Sequence, residues 1–269
     1  MTKNDSRLGS ILTYVTLFLL LYVGFGAFAF FFADSLIFQP PPPSYPNGSN
    51  IITLNTSDNE QIAAVYLQHP DAEFTILFSH GNAEDIGLLM PLLKEIQEMG
   101  FSVLAYDYRG YGQSTGKASE ANSYEDINTA YHYLVNEQGI KPQNIIAHGR
   151  SLGGALAIDL ASQKTVGGLI VESSFITAYR VMTNIPIYPF DQYRNLSKID
   201  QVECPVLFIH GKKDRVIPFW HGKALFDAAN EPKEKLWVDN AGHNDLYYTA
   251  SNKYRKAITD FLPLLKNNK

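Results

Sequence analysis

Residues 11–33 carry no charged side chain, and Leu, Phe and Val crowd the run. As a helix rising 1.5 Å per residue this stretch would reach roughly 34 Å, enough to cross a hydrocarbon core of about 30 Å. The rival reading is a cleaved signal peptide with Lys3 and Arg7 as its basic start. Two features oppose it. The apolar core of a signal peptide is typically about 7–15 residues long. The small-residue pair in Ala27-Phe28-Ala29 also runs straight into Phe30-Phe31-Phe32, a poor exit for a peptidase. Residues 1–34 are therefore read as a tail and one transmembrane helix. Lys3 and Arg7 precede the span, and the next basic residue after it is Lys94. The positive-inside rule then leaves the N-terminus cytoplasmic and puts the rest of a single-pass protein outside the cytoplasm.

Residues 35–49 follow as a Pro-rich linker. Its consecutive prolines fix φ and favour a stiff, extended spacer, with a ligand for a proline-binding domain as the alternative. Asn47-Gly48-Ser49, Asn55-Thr56-Ser57 and Asn195-Leu196-Ser197 fit the N-glycosylation pattern. The net charge of −5 and the scattered Lys and Arg exclude the basic footprint of a nucleic-acid binder or a polybasic lipid-headgroup patch. A single cysteine, Cys204, excludes an intrachain disulfide and a Cys-rich metal site. Its place before Pro205 and an apolar run reads as a small core residue.

From residue 50 onward, short β-branched or aromatic runs alternate with helical patterns. Residues 51–54 and 62–67 read as an opening hairpin pair. Further strands are expected at 74–78, 101–106, 144–148, 168–171, 206–209 and 235–238. Helices are expected at 86–99, 124–137, 152–162, 220–229 and 251–265. In the first of these Leu88, Leu89, Leu92, Leu93 and Ile96 recur on one face. The alternation implies an α/β fold over residues 50–269, with a mostly parallel central sheet covered by helices on both faces.

Gly149-Arg150-Ser151-Leu152-Gly153 lies where an apolar strand meets the small-residue helix start Gly153-Gly154-Ala155. A strand turning sharply into a helix can hold a serine hydroxyl up for attack, and small residues let the strained turn pack. The helix N-terminus also favours developing negative charge. Ser151 is therefore the candidate nucleophile. Asp214 sits just past one expected strand, and His243 lies between the last strand and the last helix. Asp214 would accept from the imidazole and hold its tautomer. His243 would be general base toward Ser151, then general acid toward the leaving group. Singly these read as a turn aspartate and a solvated loop histidine; together, in the order Ser, Asp, His, they read as a triad. Glu172, at another strand end, and Asp245, beside the histidine, are rivals for the acid. Ser79-His80-Gly81-Asn82-Ala83 follows a further strand end, where a second oxyanion donor is expected. The backbone N–H groups of Asn82 and Leu152 are the candidates. His80, His148 and His210 read as turn or packing residues. No cofactor and no metal is called for.

These motifs resemble the α/β-hydrolase superfamily of serine hydrolases, most closely its small membrane-attached abhydrolase-domain branch, which includes protein depalmitoylases. The resemblance rests on Phe38-Gln39-Pro40-Pro41, Ser79-His80-Gly81-Asn82-Ala83-Glu84-Asp85, and Tyr106-Asp107-Tyr108-Arg109-Gly110-Tyr111-Gly112-Gln113-Ser114. It continues through the elbow, Val171-Glu172-Ser173-Ser174-Phe175, the Asp214 loop and Ala241-Gly242-His243-Asn244-Asp245-Leu246. It implies an α/β-hydrolase fold, a triad of Ser151, Asp214 and His243, and an oxyanion hole at Asn82 and Leu152. One departure stands out: the depalmitoylases of this branch carry an N-terminal cysteine cluster, where this chain has an apolar span.

Between Ser173 and Asp200 the pattern breaks into an insert rich in aromatic and aliphatic side chains, among them Phe175, Tyr179, Met182, Ile185, Ile187 and Tyr193. In this fold such an insert forms a short lid, whose apolar side chains would favour an acyl chain; capping of the core is the alternative. The expected function is cleavage of carboxylic esters or thioesters through an acyl-enzyme, with a lipid or acylated protein at the membrane as substrate. A serine peptidase of the same fold and a catalytically silent binding module are the other readings.

Overall fold

Strand β3, Thr75–Ser79, is buried along its whole length, as are β4, Ser102–Tyr106, and β6, Gly168–Glu172. Side chains hidden on both faces need helices on both sides of a sheet, which is the parallel arrangement. In the computed structural model these strands join β1, Ile52–Asn55, β2, Gln61–Leu67, β5, Ile145–Arg150, β7, Val206–Gly211, and β8, Lys233–Val238. Among the described residues, which are 3–46, 48 and 50–266, they make one sheet in the order β1-β2-β4-β3-β5-β6-β7-β8. Asn47 and Ser49 of the first glycosylation motif, residues 1–2 of the tail and residues 267–269 lie outside the described residues. The β1–β2 and β2–β4 pairs are antiparallel and every later pair is parallel.

Register aligns the carboxyl ends of the central strands. Ser79 faces Gly149, Arg150 faces Glu172, and Glu172 faces Ile209. Loops leaving that edge are where an open α/β sheet binds ligands. On one face lie α2, Ile86–Glu98, and α7, Leu246–Lys266, packed over Phe78, Ile146 and Leu207. On the other lie α3, Glu120–His132, α4, Leu152–Gln163, and α6, Trp220–Ala228, over Leu77, Ala147 and Phe208. Helix α4 is buried from Leu152 to Ala161, which its Gly, Ala and Leu content permits. Each large apolar side chain hidden this way stabilises by about 1.5–3 kcal/mol.

Two helix starts and the insert differ from expectation. Helix α3 starts at Glu120 rather than 124, because the Ser119 side chain accepts from Asn122 N–H and caps it, and it runs on as a π turn, Tyr133–Glu137. Helix α7 starts at Leu246 rather than 251, with a break at Ala250, whose φ of −133° is not helical. The insert is not wholly irregular: it holds α5, Ala178–Met182, and two 3₁₀ turns.

Helix α1, Lys3–Ile37, precedes the sheet, and its stretch Gly9–Ile37 is long and apolar enough to cross a membrane. The Pro-rich segment after it does not stand off as a spacer. Ser44 donates to Asp85 and the Tyr45 hydroxyl donates to Asp107, so the linker lies bound along the domain.

Candidate active site

Ser151 has φ 55° and ψ −115°, a backbone conformation that an L side chain rarely adopts. The turn is held from both sides. Ser151 N–H donates to the Glu172 carbonyl at 2.8 Å, and Ser174 Oγ donates to the Ser151 carbonyl at 2.9 Å. Its neighbours must be small: a Cβ on Gly149 would collide with the Gly153 carbonyl, and one on Gly153 with the Ser79 carbonyl. The two framing glycines are thus explained by backbone approach, and they bring the end of β3 against the start of α4.

The hydroxyl so presented meets His243, which in turn meets Asp214. His243 Nε2 lies 3.0 Å from Ser151 Oγ, and His243 Nδ1 lies 2.7 Å from Asp214 Oδ2. The other oxygen, Asp214 Oδ1, accepts from the N–H groups of Val216 and Ile217 at 2.9 and 2.8 Å. Burial opposes the charge on Asp214, but hydrogen bonds from His210, His243 and Ile217 N–H win, holding the carboxyl well below its usual range. The loops carrying the two side chains are stitched together, since Lys213 N–H donates to the Ala241 carbonyl at 2.9 Å.

The rival carboxylates are engaged elsewhere. Glu172 is buried with Tyr254 Oη at 2.8 Å and His148 Nε2 at 3.3 Å. Burial works against its ionisation, yet these partners leave its pKa lowered. Asp245 Oδ1 accepts from Gly242 N–H and closes a turn. His80 is engaged elsewhere: its Nδ1 bonds the Gly81 carbonyl at 2.7 Å, its ring stacks on Tyr108, and burial pushes its pKa down to about 4.

Leu152 opens α4, so its N–H belongs to the first helical turn, whose donors have no acceptor inside the helix. Across the gap, Gly81 faces Ser151, with its Cβ direction 3.6 Å from Ser151 Cβ. The side chain of Asn82 is occupied: Oδ1 accepts from Gln39 N–H at 3.0 Å and from Tyr111 Oη at 2.5 Å, while Nδ2 donates to the Ile37 carbonyl. What Asn82 can direct at a substrate is its main chain.

Two contributors were not foreseen from the sequence. Arg150 Nη2 bridges to Glu84 Oε1 at 2.6 Å, and Glu84 Oε2 accepts from Gly81 N–H at 2.9 Å, which ties the elbow to the loop opposite. His210 Nε2 lies 3.4 Å from Asp214 Oδ2 and adds a second imidazole to that carboxylate. A groove of about 440 Å³ opens beside His243, with Asn82, Leu92, Arg150 and Tyr248 in its walls. Among the described residues no group of three or more His, Cys, Asp or Glu is placed to hold a metal ion.

Comparison with known proteins agrees with this architecture. Residues 70–188 match the Hydrolase_4 family model, described as serine aminopeptidase, S33. The human α/β-hydrolase domain-containing protein 17B is 40% identical over 195 residues, 71% of this chain and 68% of that protein. Protein 17C of Xenopus tropicalis is 39% identical over 199 residues, 72% of this chain and 64% of its own length. Among solved structures, an esterase of Pyrococcus furiosus superposes with a TM-score of 0.70 at 19% identity, covering 84% of this chain and 98% of the esterase.

Proposed function

Because the chain belongs to the α/β-hydrolase family, alongside the domain-containing proteins 17B and 17C, we propose that it is a membrane-anchored serine hydrolase cleaving acyl esters or thioesters. The observation that carries this reading is the unbroken line from Asp214 through His243 to Ser151, at 2.7 and 3.0 Å.

In this reading Ser151 Oγ attacks the acyl carbon while His243 Nε2 takes its proton. Asp214 keeps the proton of the imidazole on Nδ1 and stabilises the imidazolium that forms. The tetrahedral oxyanion is met by the main-chain N–H groups of Leu152 and Asn82, at the positive end of α4. Collapse expels the alcohol or thiol, which His243 protonates, and leaves the acyl group on Ser151. Water, deprotonated by His243, then releases the acid. Helix α1 is the anchor, in single-pass form with the catalytic domain outside the cytoplasm, and it would keep the site beside acylated lipids or proteins.

The test uses the full chain in detergent micelles with a fluorophosphonate probe and a panel of acyl esters and thioesters of graded length. Labelling that Ser151→Ala abolishes, with turnover rising with chain length, is the expected result. No labelling would make the chain a binding module. The family model's description names serine aminopeptidases, so peptide anilides belong in the panel, and their faster turnover would make it a peptidase.

A further inference from the structure

Residues 181–190 contain no charged side chain and are bracketed by Arg180 and Asp191. Within them Met182, Ile185 and Ile187 are 87%, 68% and 48% exposed. This apolar segment does not point into open solvent alone; it runs back along α1. The Tyr22 hydroxyl donates to the Ile187 carbonyl at 2.8 Å, and the Tyr188 hydroxyl donates to the Tyr22 carbonyl at 3.2 Å. The Tyr188 ring occupies the space over Gly26, where a Cβ would stand 2.8 Å away. Nearer the sheet, Phe30 meets Phe190 edge to face, and the Tyr179 hydroxyl donates to the Ala29 carbonyl.

The depth of these contacts follows from the helix. Tyr22 lies about twelve residues before Asp34, or roughly 18 Å along α1. Crossing a bilayer takes about 20 residues. Even a span pushed as far toward the N-terminus as Arg7 allows would end near Ala27, which leaves both Tyr22 and Gly26 within the hydrocarbon. A span centred on the uncharged run puts Tyr22 at the midplane. Either way, Ile187 and Tyr188 sit at the level of lipid tails.

Non-helical backbone survives there only if its polar groups find partners. Pro186 and Pro189 have no N–H to satisfy. The Ile187 carbonyl has the Tyr22 hydroxyl, and the Thr183 and Asn184 carbonyls accept from the Arg180 guanidinium at 3.3 and 2.5 Å. Arg180 itself lies 5.3 Å over the Trp220 ring, the Arg and Trp pairing suited to a membrane–water boundary. Between the segment and α1 is a cavity of about 260 Å³, walled by Ala29, Ala33, Tyr179, Met182 and Tyr188.

We propose that residues 181–190 are a re-entrant segment immersed in the bilayer beside α1, and that the cavity between them receives the acyl chain of a membrane-resident ester. The immersion rests on α1 being the membrane span, and the occupant rests on the hydrolase reading. Acyl chains would then reach the site sideways from lipid rather than through water. At the other end of this path α1 terminates at Ile37, whose carbonyl is bonded to Asn82.

The test places a single environment-sensitive fluorophore on the full chain in phospholipid vesicles, in a Cys204→Ala background, at Leu20→Cys, Ile185→Cys or Tyr248→Cys. Lipid-borne nitroxide is expected to quench the labels at 20 and 185 at least about threefold more than that at 248, which aqueous iodide should reach instead. Quenching by lipid at 20 with iodide access at 185 overturns the immersed segment and leaves the span standing. Iodide access at both overturns the span as well. For the occupant, a phospholipid with a diazirine on its acyl chain should crosslink to both walls of the cavity, within residues 178–191 and at Ala29 or Ala33, and crosslinks confined to α1 before Ala29 would overturn it. Fluorophosphonate labelling of Ser151 in the same vesicles reports the hydrolase site separately, so the two readings fail independently.

Discussion

Asn82 ties the end of α1 to the loop facing Ser151, its Nδ2 donating to the Ile37 carbonyl while Oδ1 accepts from Gln39 N–H. With the side chain held by the linker, only the main-chain N–H remains for an oxyanion. Asn82→Ala keeps that N–H and removes the tethers, so kcat should fall by about tenfold or less. Loss of a true oxyanion donor costs about 10²–10³ in kcat. Steady-state kinetics on one ester decides, and a loss in that larger range would move the role to the side chain.

Ser151 is held at φ 55°, where strain costs on the order of 1–3 kcal/mol and glycine is at ease. Ser151→Gly and Ser151→Ala should both end fluorophosphonate labelling. Only the glycine variant relieves the backbone, for a net gain on the order of 1 kcal/mol after its entropy cost, or roughly 2–4 °C in Tm. Equal melting temperatures for the two variants would show that the turn is not strained.

Asp214 and Glu172 can be told apart by what each variant loses. Asp214→Asn removes the acceptor that orients His243 and should lower kcat about 10⁴-fold with the fold intact. Glu172→Gln weakens the buried bonds to Tyr254 and His148, so it should lower Tm while kcat stays within about threefold. Thermal melts and single-substrate kinetics on both variants test this. A Glu172→Gln enzyme with near-native Tm and lost turnover would exchange the roles.

Periodicity made the sheet and its helices legible, because alternating buried runs and one-sided helical faces are local patterns. The placement of Ser151, Asp214 and His243 was legible for a related reason: each follows a strand, and parallel strands put those ends on one edge. Contacts between distant side chains left no such trace. Tyr45 reaches Asp107 across 62 positions and Tyr22 reaches Ile187 across 165, so from the sequence alone the linker reads as a spacer and the insert as a lid or a cap on the core. The start of α3 was missed because residues 120–123 have no apolar rhythm, although Ser119 supplies the cap. His210 reads from the sequence as a turn or packing residue, and nothing in the run Ile209-His210-Gly211 signals the carboxylate 3.4 Å from its ring.

His80 and Asp107 form a buried pair outside the line from Asp214 through His243 to Ser151, with Nε2 and Oδ1 3.5 Å apart. Burial pushes Asp107 up to about 7, against hydrogen bonds from Tyr45 and Ile86, and burial pushes His80 down to about 4. The signs oppose. Asp107 keeps its proton in the folded chain when the unfolded chain has lost it, so its contribution is present below about pH 4 and lost as pH rises to 7. His80 is neutral in the folded chain when the unfolded chain is protonated, so its contribution is present above about pH 6.5 and lost as pH falls to 4. Between about pH 4.5 and 6.5 the two cancel in the wild type, and either variant should unmask the other. Relative to wild type, Asp107→Asn should gain stability as pH rises, and His80→Gln should lose it, each approaching about 1 kcal/mol per pH unit. Denaturant unfolding at pH 4.5, 5.5 and 6.5 measures both slopes, and parallel curves for all three proteins would show that the pair does not titrate in this range.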